Sequence, residues 1–286
     1  MKILLTGVDG QVGYELLRCL QGLGEIVACG RDRLDLANLD QVRDCVRHLA
    51  PDLIVNAAAY TAVDRAESEP ELALRVNAQA PGVMALVGRE VGAALVHFST
   101  DYVFDGAKDA PYVEGDRTAP LNVYGETKML GEQAIVSSGI PYLILRTSWV
   151  YGMHGHNFLR TMLRLADSQD AVRVVMDQIG APTWSRTVAQ TTAHILAQAQ
   201  VGGPRWWRES RGIYHLAAGG ETSWAGFAQA IMEETGSDCR VTPIASVDYP
   251  QAARRPHNSR LNTAKLTHRF CRLPDWRDAL ALCLRA

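Results

Sequence analysis

Apolar residues in the first half of the chain fall into short continuous runs, separated by stretches in which they recur every third or fourth position. Lys2 to Leu5 is one such run, stopped by Gly7, and Gln11 to Leu20 then carries Val12, Leu16, Leu17 and Leu20 at helical spacing. The alternation repeats as a strand at 25–29, a helix at 38–49, a strand at 53–55, helices within 64–91 and a strand at 95–98. A helix over about 120–138 and a strand at 142–145 complete it. Runs this short and apolar suit strands buried on both faces, and their alternation with helices predicts an α/β protein built on a doubly wound, parallel, Rossmann-like sheet.

Beyond Trp149 the pattern loosens around Gly152, Gly155, Gly180 and Pro182, with helices near 157–168 and 185–200. Gly202-Gly203-Pro204 reads as a boundary. Helices near 223–236 and 275–284, joined by Pro-containing loops, suit a smaller C-terminal substrate-binding lobe. The expected division is a cofactor-binding domain over 1–150, with the helix at about 185–200 packing back on it, and a substrate lobe made from 151–184 and 201–286. Ligands in open sheets of this kind bind outside the carboxyl ends of the strands, so the site is expected in a cleft between the two parts.

Composition narrows the function classes. A chain with 47% hydrophobic and 21% charged residues is an ordinary globular protein, and a net charge of -2 offers no basic excess for a nucleic-acid backbone. The six cysteines form no CxxC pair and no framework spacing, which fits a reduced, cytoplasmic location. Met1 leads straight into the first apolar run with no charged leader or long apolar span, so neither export nor a membrane partner is expected.

Chemistry enters with Gly7, Gly10 and Gly13, three glycines at a spacing of three between the first strand and the first helix. In that position they let the backbone, with Gln11 and Val12 at the helix mouth, approach a pyrophosphate. A tight turn needing glycine only for packing would carry the same pattern. After the second strand comes Arg31, where an NAD-selective site usually offers an acid to the ribose; an arginine there suits a 2′-phosphate, though a solvated surface arginine would read alike. NADPH is therefore the expected cofactor, with NADH as a second, and Asp35 and Leu36 belong to the same expected contact.

Tyr124 precedes Lys128 by four residues, which places both on one helix face. A packing tyrosine beside a surface lysine would share that spacing, but Ser99-Thr100-Asp101 stands at the end of an apolar strand, where the cleft is expected. The residue types fit carbonyl reduction. Tyr124 supplies a proton, a nearby ammonium from Lys128 is expected to lower the tyrosine pKa from about 10, and Thr100 orients the carbonyl oxygen.

The chain resembles the extended short-chain dehydrogenase/reductases, and within them the branch acting on dTDP-linked 4-keto sugars. The resemblance is carried by Val55–Asp64, Phe98–Gly106, Tyr124–Lys128, Arg146–Gly152, Asn157-Phe158, Asp177–Thr183 and Arg255–Ser259. It implies reduction of the 4-keto group of dTDP-4-dehydro-L-rhamnose to dTDP-L-rhamnose. It also implies catalytic roles for Thr100, Tyr124 and Lys128, cofactor contact along Ala57, Ala58 and Ala59, and sugar contact by Tyr102, Trp149 and Asn157. Core filling is the competing role for the two aromatics. Some members of the family bind Mg²⁺ at a dimer interface through an acid matching Glu15 and acids early in the helix after the Pro-Thr stretch. Here Arg186 and Gln190 stand in that helix, so no metal is expected and a homodimer is left open. An epimerase or a dehydratase would share the glycines and the Tyr-Lys pair, but the dehydratases usually carry a glutamate where this chain has Tyr102. A non-catalytic cofactor-binding subunit would not need Thr100, Tyr124 and Lys128 together.

Overall fold

The computed structural model of the protein describes residues 1–285. Its first half runs β1 (Lys2–Thr6), α1 (Gln11–Cys19), β2 (Glu25–Cys29), α2 (Leu39–Leu49), β3 (Leu53–Asn56), α3 (Val63–Ala66) and α4 (Pro70–Leu74). A π-helical turn at Arg75–Gln79 leads into α5 (Ala80–Glu90), followed by β4 (Ala94–Thr100), α6 (Val123–Ser138) and β5 (Tyr142–Thr147). The second half adds β6 (Val150–Tyr151), α7 (Phe158–Ala166), β7 (Ala171–Val175), β8 (Ile179–Gly180), β9 (Thr183–Trp184), α8 (Ser185–Ser210) and β10 (Gly212–His215). It ends with β11 (Thr222–Ser223), α9 (Trp224–Thr235), β12 (Arg240–Ile244), α10 (Ala264–Arg269) and α11 (Trp276–Arg285).

Six strands form one parallel sheet in the order β10-β5-β4-β3-β1-β2. Each interior strand is apolar on both faces because helices cover both sides. Ile3, Leu5, Val55, Val96, Leu143 and Leu145 pack with Leu16 of α1 and Val188 and Ile195 of α8. The alternate residues Leu4, Ile54, Leu95 and Ile144 pack with Val42 and Val46 of α2 and Met84 and Val87 of α5. Each such side chain contributes about 1.5–3 kcal/mol by leaving water. The second lobe has its own core, in which Tyr151, Leu159, Val172, Val174, Phe227, Ile231 and Trp276 meet.

The structure moves several expected boundaries. The helix placed at 120–138 starts at Val123, because Asn122 caps it by accepting a hydrogen bond from Gly125 N at 2.8 Å. Gly202-Gly203-Pro204 is a kink inside α8 rather than a loop: Gly203 alone leaves helical geometry, at φ 58 and ψ -150. The assignment of 201–286 to the second lobe needs correction at β10, which pairs with β5 and adds the sixth strand to the central sheet. The strands β7 and β12, which pair with each other in the second lobe, add to the expected elements; the first four residues of β7 alternate exposed and buried, the mark of a half-covered strand.

The helix that carries the Tyr-Lys pair lies unusually close to its neighbours. Gly125 and Gly131 have no side chain where one would strike the backbone oxygens of Tyr102 and Asn77. Asn77 sits in the π turn, and its side chain holds Tyr60 N and O at 2.8 and 3.0 Å and Thr127 Oγ1 at 3.1 Å. On the sheet side, Arg146 of β5 grips Glu132 of α6 through two bonds of 2.8 and 2.6 Å, with 2% and 3% of the two residues exposed. Glu132→Ala would leave that guanidinium buried without its counter-charge. Urea unfolding should show a loss of about 3–5 kcal/mol, the usual cost of breaking a buried pair from one side.

Candidate active site

The strands of the central sheet end on one side, and a cleft of about 640 Å³ opens there. It spans the switch between β1 and β3, from which the strand order runs in opposite directions. At one end lies the glycine turn. Gly7 has φ +71, and a Cβ on it would stand 2.5 Å from Ala58 N; Gly10 N donates to Gly7 O at 3.0 Å. α1 then begins with no side-chain cap on Gly10 and no acid in its first turn, so its N–H groups and the positive end of its dipole are free for an anion. Gly7, Gly10, Gln11 and Val12 line the cleft. Gly13 does not; it lets α1 close against the loop, where a side chain would collide with Gly7 O.

Ala57, Ala58 and Ala59, following β3, line the cleft beside the turn, and Arg31, Asp35 and Leu36 line it after β2. The Arg31 side chain is 80% exposed and only loosely tied, its Nε 3.9 Å from Asp35 Oδ1. A dinucleotide fits these features: a backbone cradle that a Cβ would fill, a free helix start, and a long-stemmed cation beyond the second strand.

Thr100, Tyr124 and Lys128 come together at the opposite end. Thr100 closes β4 and caps a 3-10 turn at Asp101–Val103; its Oγ1 accepts from Tyr102 N at 3.1 Å and donates to Asp101 Oδ1 at 3.0 Å. Lys128 is buried, with Nζ donating to Phe98 O at 2.5 Å and lying 3.1 Å from His97 Nε2. Burial pulls its pKa down to about 8 against the opposing pull of Glu132. The Tyr124 phenol is pushed up to about 12, by burial first and the Asp101 carboxylate second, while a hydrogen bond with Thr100 works the other way. This differs from the expected lowering by Lys128. Desolvation of the phenolate dominates, and Tyr124 is a neutral phenol around neutral pH.

The three residues expected to contact sugar are placed differently from one another. Trp149 lines the cleft with its backbone at φ 49, its ring stacked on Trp224 of α9 at 3.7 Å. Tyr102 lies behind Tyr124, edge-on at 5.7 Å, with the Arg255 guanidinium 5.9 Å from its ring. Asn157 is occupied locally: it caps α7 by accepting from Arg160 N at 3.2 Å and donates to Gly152 O at 2.8 Å. Its polar atoms serve the loop that follows β6, and it is not on the cleft wall. Sequence reasoning missed Asp101, whose buried carboxyl lines the cleft one residue after Thr100. It also missed Glu132, although that residue stands one further turn along the Tyr124-Lys128 face. Away from the cleft, Glu15 pairs with Arg186 at 3.2 Å, so the chain itself supplies the counter-charge. Among the described residues no group of three or more His, Cys, Asp or Glu is placed to hold a metal.

A parallel sheet with a glycine turn at one end of its cleft and a Tyr-Lys pair beside a strand-end threonine at the other defines an oxidoreductase of the short-chain dehydrogenase/reductase type. The chain matches the family described as RmlD substrate binding domain over residues 1–286. A dTDP-4-dehydrorhamnose reductase from Burkholderia thailandensis is 47% identical over 300 residues, covering 100% of this chain and 98% of that one. The crystal structure of a dTDP-4-dehydrorhamnose reductase from Clostridium acetobutylicum superposes with a TM-score of 0.92 at 35% identity, covering 100% of this chain and 99% of that one. The Bacillus anthracis dTDP-4-dehydrorhamnose reductase in complex with NADP gives 0.91 at 34% identity, covering 99% and 98%. The chain belongs to the dTDP-4-dehydrorhamnose reductase family.

The Asp101 carboxyl is 4% exposed, its Oδ2 has no hydrogen-bond partner among the described residues, and burial raises its pKa to about 6 against hydrogen bonds from Ser259 and Thr100. A folded pKa above the unfolded value of 3.8 means that ionisation works against the fold, so this group's cost is absent below pH 3.8 and complete above about pH 6. Asp101→Asn should therefore stabilise the protein by about 3 kcal/mol at pH 8, because each tenfold change in proton affinity between folded and unfolded chain is worth about 1.4 kcal/mol. The gain should shrink as the pH falls toward 4, as measured by urea unfolding at each pH.

Proposed function

We propose that the chain reduces the 4-keto group of dTDP-4-dehydro-L-rhamnose to give dTDP-L-rhamnose, with NADPH preferred and NADH as a second cofactor. The observation that carries the proposal is the single cleft that joins the glycine turn to Thr100, Tyr124 and Lys128. The names of the relatives support the substrate, and the NADP held by the Bacillus anthracis relative supports the cofactor. When bound, the nicotinamide supplies the hydride.

The chain's own residues do the rest. The backbone at Gly7, Gly10, Gln11 and Val12 takes the pyrophosphate, with Gly13 holding the helix close enough for it. Ala57, Ala58 and Ala59 offer small side chains against the dinucleotide, and Arg31, with Asp35 and Leu36, takes the 2′-phosphate end. Thr100, turning its hydroxyl hydrogen from Asp101 Oδ1 to the substrate, donates to the sugar carbonyl oxygen, and Tyr124, held as a neutral phenol, gives that oxygen its proton. Lys128 holds positive charge beside the developing negative charge and reaches the cofactor ribose. Trp149 packs on the hexose, with Tyr102 behind Tyr124 acting through that ring. The cofactor part consists of 1–150 with α8 and β10, and the remaining second-half elements hold the sugar nucleotide. The free cysteines accord with work in the cytoplasm. Among the described residues no helix is long and apolar enough to cross a membrane.

Purified protein should consume NADPH when given the dTDP-linked 4-keto sugar, with the rhamnose configuration of the product checked by proton NMR. No turnover there, alongside turnover of an unrelated ketone, would remove the assignment. Tyr124→Phe keeps the ring and removes the hydroxyl, so kcat should fall about 10²- to 10⁴-fold with NADPH affinity unchanged. Arg31→Ala should weaken NADPH binding by roughly tenfold and leave NADH binding as it was; equal losses for both cofactors would show that this arginine does not read the phosphate.

A further inference from the structure

One titratable group beside the catalytic residues has no part in the chemistry above. His97 is on β4, fully buried, and its two ring nitrogens meet different partners: Nε2 is 3.1 Å from Lys128 Nζ, and Nδ1 is 3.0 Å from Asn56 Nδ2 of β3. Asn56 Oδ1 in turn accepts from Thr6 Oγ1 at 2.7 Å, at the end of β1 and next to Gly7. A row of buried side chains therefore runs from the lysine across three strands to the start of the glycine turn.

With Lys128 charged, donor counting assigns the protons along this row. An ammonium has three hydrogens and no lone pair. One goes to Phe98 O at 2.5 Å, a second is within reach of His97 Nε2 at 3.1 Å, and the third is left for the cleft that Lys128 lines. Nε2 must then accept, which requires a neutral ring with its hydrogen on Nδ1. That hydrogen needs an acceptor. Asn56 provides its carbonyl oxygen when a half-turn about its last side-chain bond exchanges oxygen and nitrogen, and its NH₂ then donates to Thr6 Oγ1.

We propose that His97 is a positioning residue for the reduction: as the neutral Nδ1–H tautomer it accepts a hydrogen bond from the Lys128 ammonium, keeps that cation charged, and leaves its remaining N–H turned to the cleft. The inference rests on the reading of Lys128 given above. Few charged or titratable groups surround the pair. Glu132, on the same helix and shared with Arg146 of β5, favours the ammonium; Tyr124 stands one turn away, with Asp101 acting on it rather than on Lys128. β1 and β3 contribute only the neutral Thr6 and Asn56. Burial, and then the Lys128 charge, hold His97 well below the usual histidine range, so the ring stays an acceptor wherever the lysine is charged.

The first test uses the parent protein alone. Nitrogen-15 spectra of the labelled chain, with the His97 ring assigned through its own backbone, should show a neutral ring with hydrogen on Nδ1 from about pH 5 to pH 7.5. An Nε2–H tautomer or an imidazolium in that range overturns the proposal, whatever the enzyme's substrate. The second test separates position from packing. His97→Leu removes the acceptor, so the alkaline fall in kcat should move down by about one to two pH units, as expected when one hydrogen bond to a charged group is lost. NADPH affinity, read by fluorescence titration, should weaken more at pH 8 than at pH 6. His97→Gln, with an amide oxygen able to take the place of Nε2, should restore most of both. An unshifted alkaline limb in the leucine variant, or equal impairment of both variants with unshifted profiles, rejects the role. If Lys128→Met itself leaves rate and cofactor affinity intact, the active-site reading fails, while the tautomer result still stands or falls by the spectra.

Discussion

The position of α6 depends on one ion pair buried between that helix and the sheet. Glu132 accepts two bonds from Arg146 and one from Ser99, so the carboxylate of the helix is tied to both β4 and β5. Removing both charges from water costs nearly as much as their attraction returns, so the net gain in stability is small. What the pair supplies is register. Tyr124, Lys128 and Glu132 are spaced by four along one helix face, and a slip of one residue would turn that face by about 100° and carry all three away from their partners. Gly125, Gly131 and the π turn around Asn77 make room for the close approach that the pair requires.

Burial then sets the electrostatics of the cleft. It moves Tyr124 up to about 12, Asp101 up to about 6 and Lys128 down to about 8, in each case toward the uncharged form. The same cause has different consequences for the three. A neutral phenol is the form that can give a proton, so desolvation prepares Tyr124 for its proposed task. An uncharged lysine would be useless for holding charge, and Lys128 is the group to which the fold brings counter-interactions: Glu132 on its own helix and acceptors from β4 on the other side.

The second lobe meets the cleft through an aromatic contact that strains the backbone. Trp149 has a positive φ, rare for a bulky residue and worth about 1–3 kcal/mol of strain. The conformation lays its ring on Trp224, which in turn leans on Phe158, and Gly180 leaves space where a Cβ would sit 2.9 Å from the indole nitrogen. A second tie crosses from the other direction: Asp64, after β3, holds Arg255 at 2.6 Å and Ala253 N at 3.0 Å. β10 returns the chain to the central sheet, so the two parts are linked by strand pairing as well as by side chains.

The sequence by itself determined the elements whose causes are local. Short apolar runs became strands covered on both faces, the spaced glycines marked the turn after β1, and the four-residue interval put Tyr124 and Lys128 on one face. A resemblance extending over nearly the whole chain pointed to the same chemistry. What only the tertiary structure decided depends on partners far apart in the chain. β10 joins the central sheet because β5 leaves an edge for it, with Gly212 set beside the distant Leu143. Asn157 is the converse case, a local cap whose partners Arg160 N and Gly152 O lie three and five residues away, and the cleft wall it stays off is what the tertiary structure decided. Lys128 with Tyr124 predicted a lowered phenol pKa, whereas the desolvation that raises it comes from walls assembled by several elements. The tautomer of His97 follows from a lysine on one helix and an asparagine on another strand, and protons are assigned by such meetings, which a linear pattern does not contain.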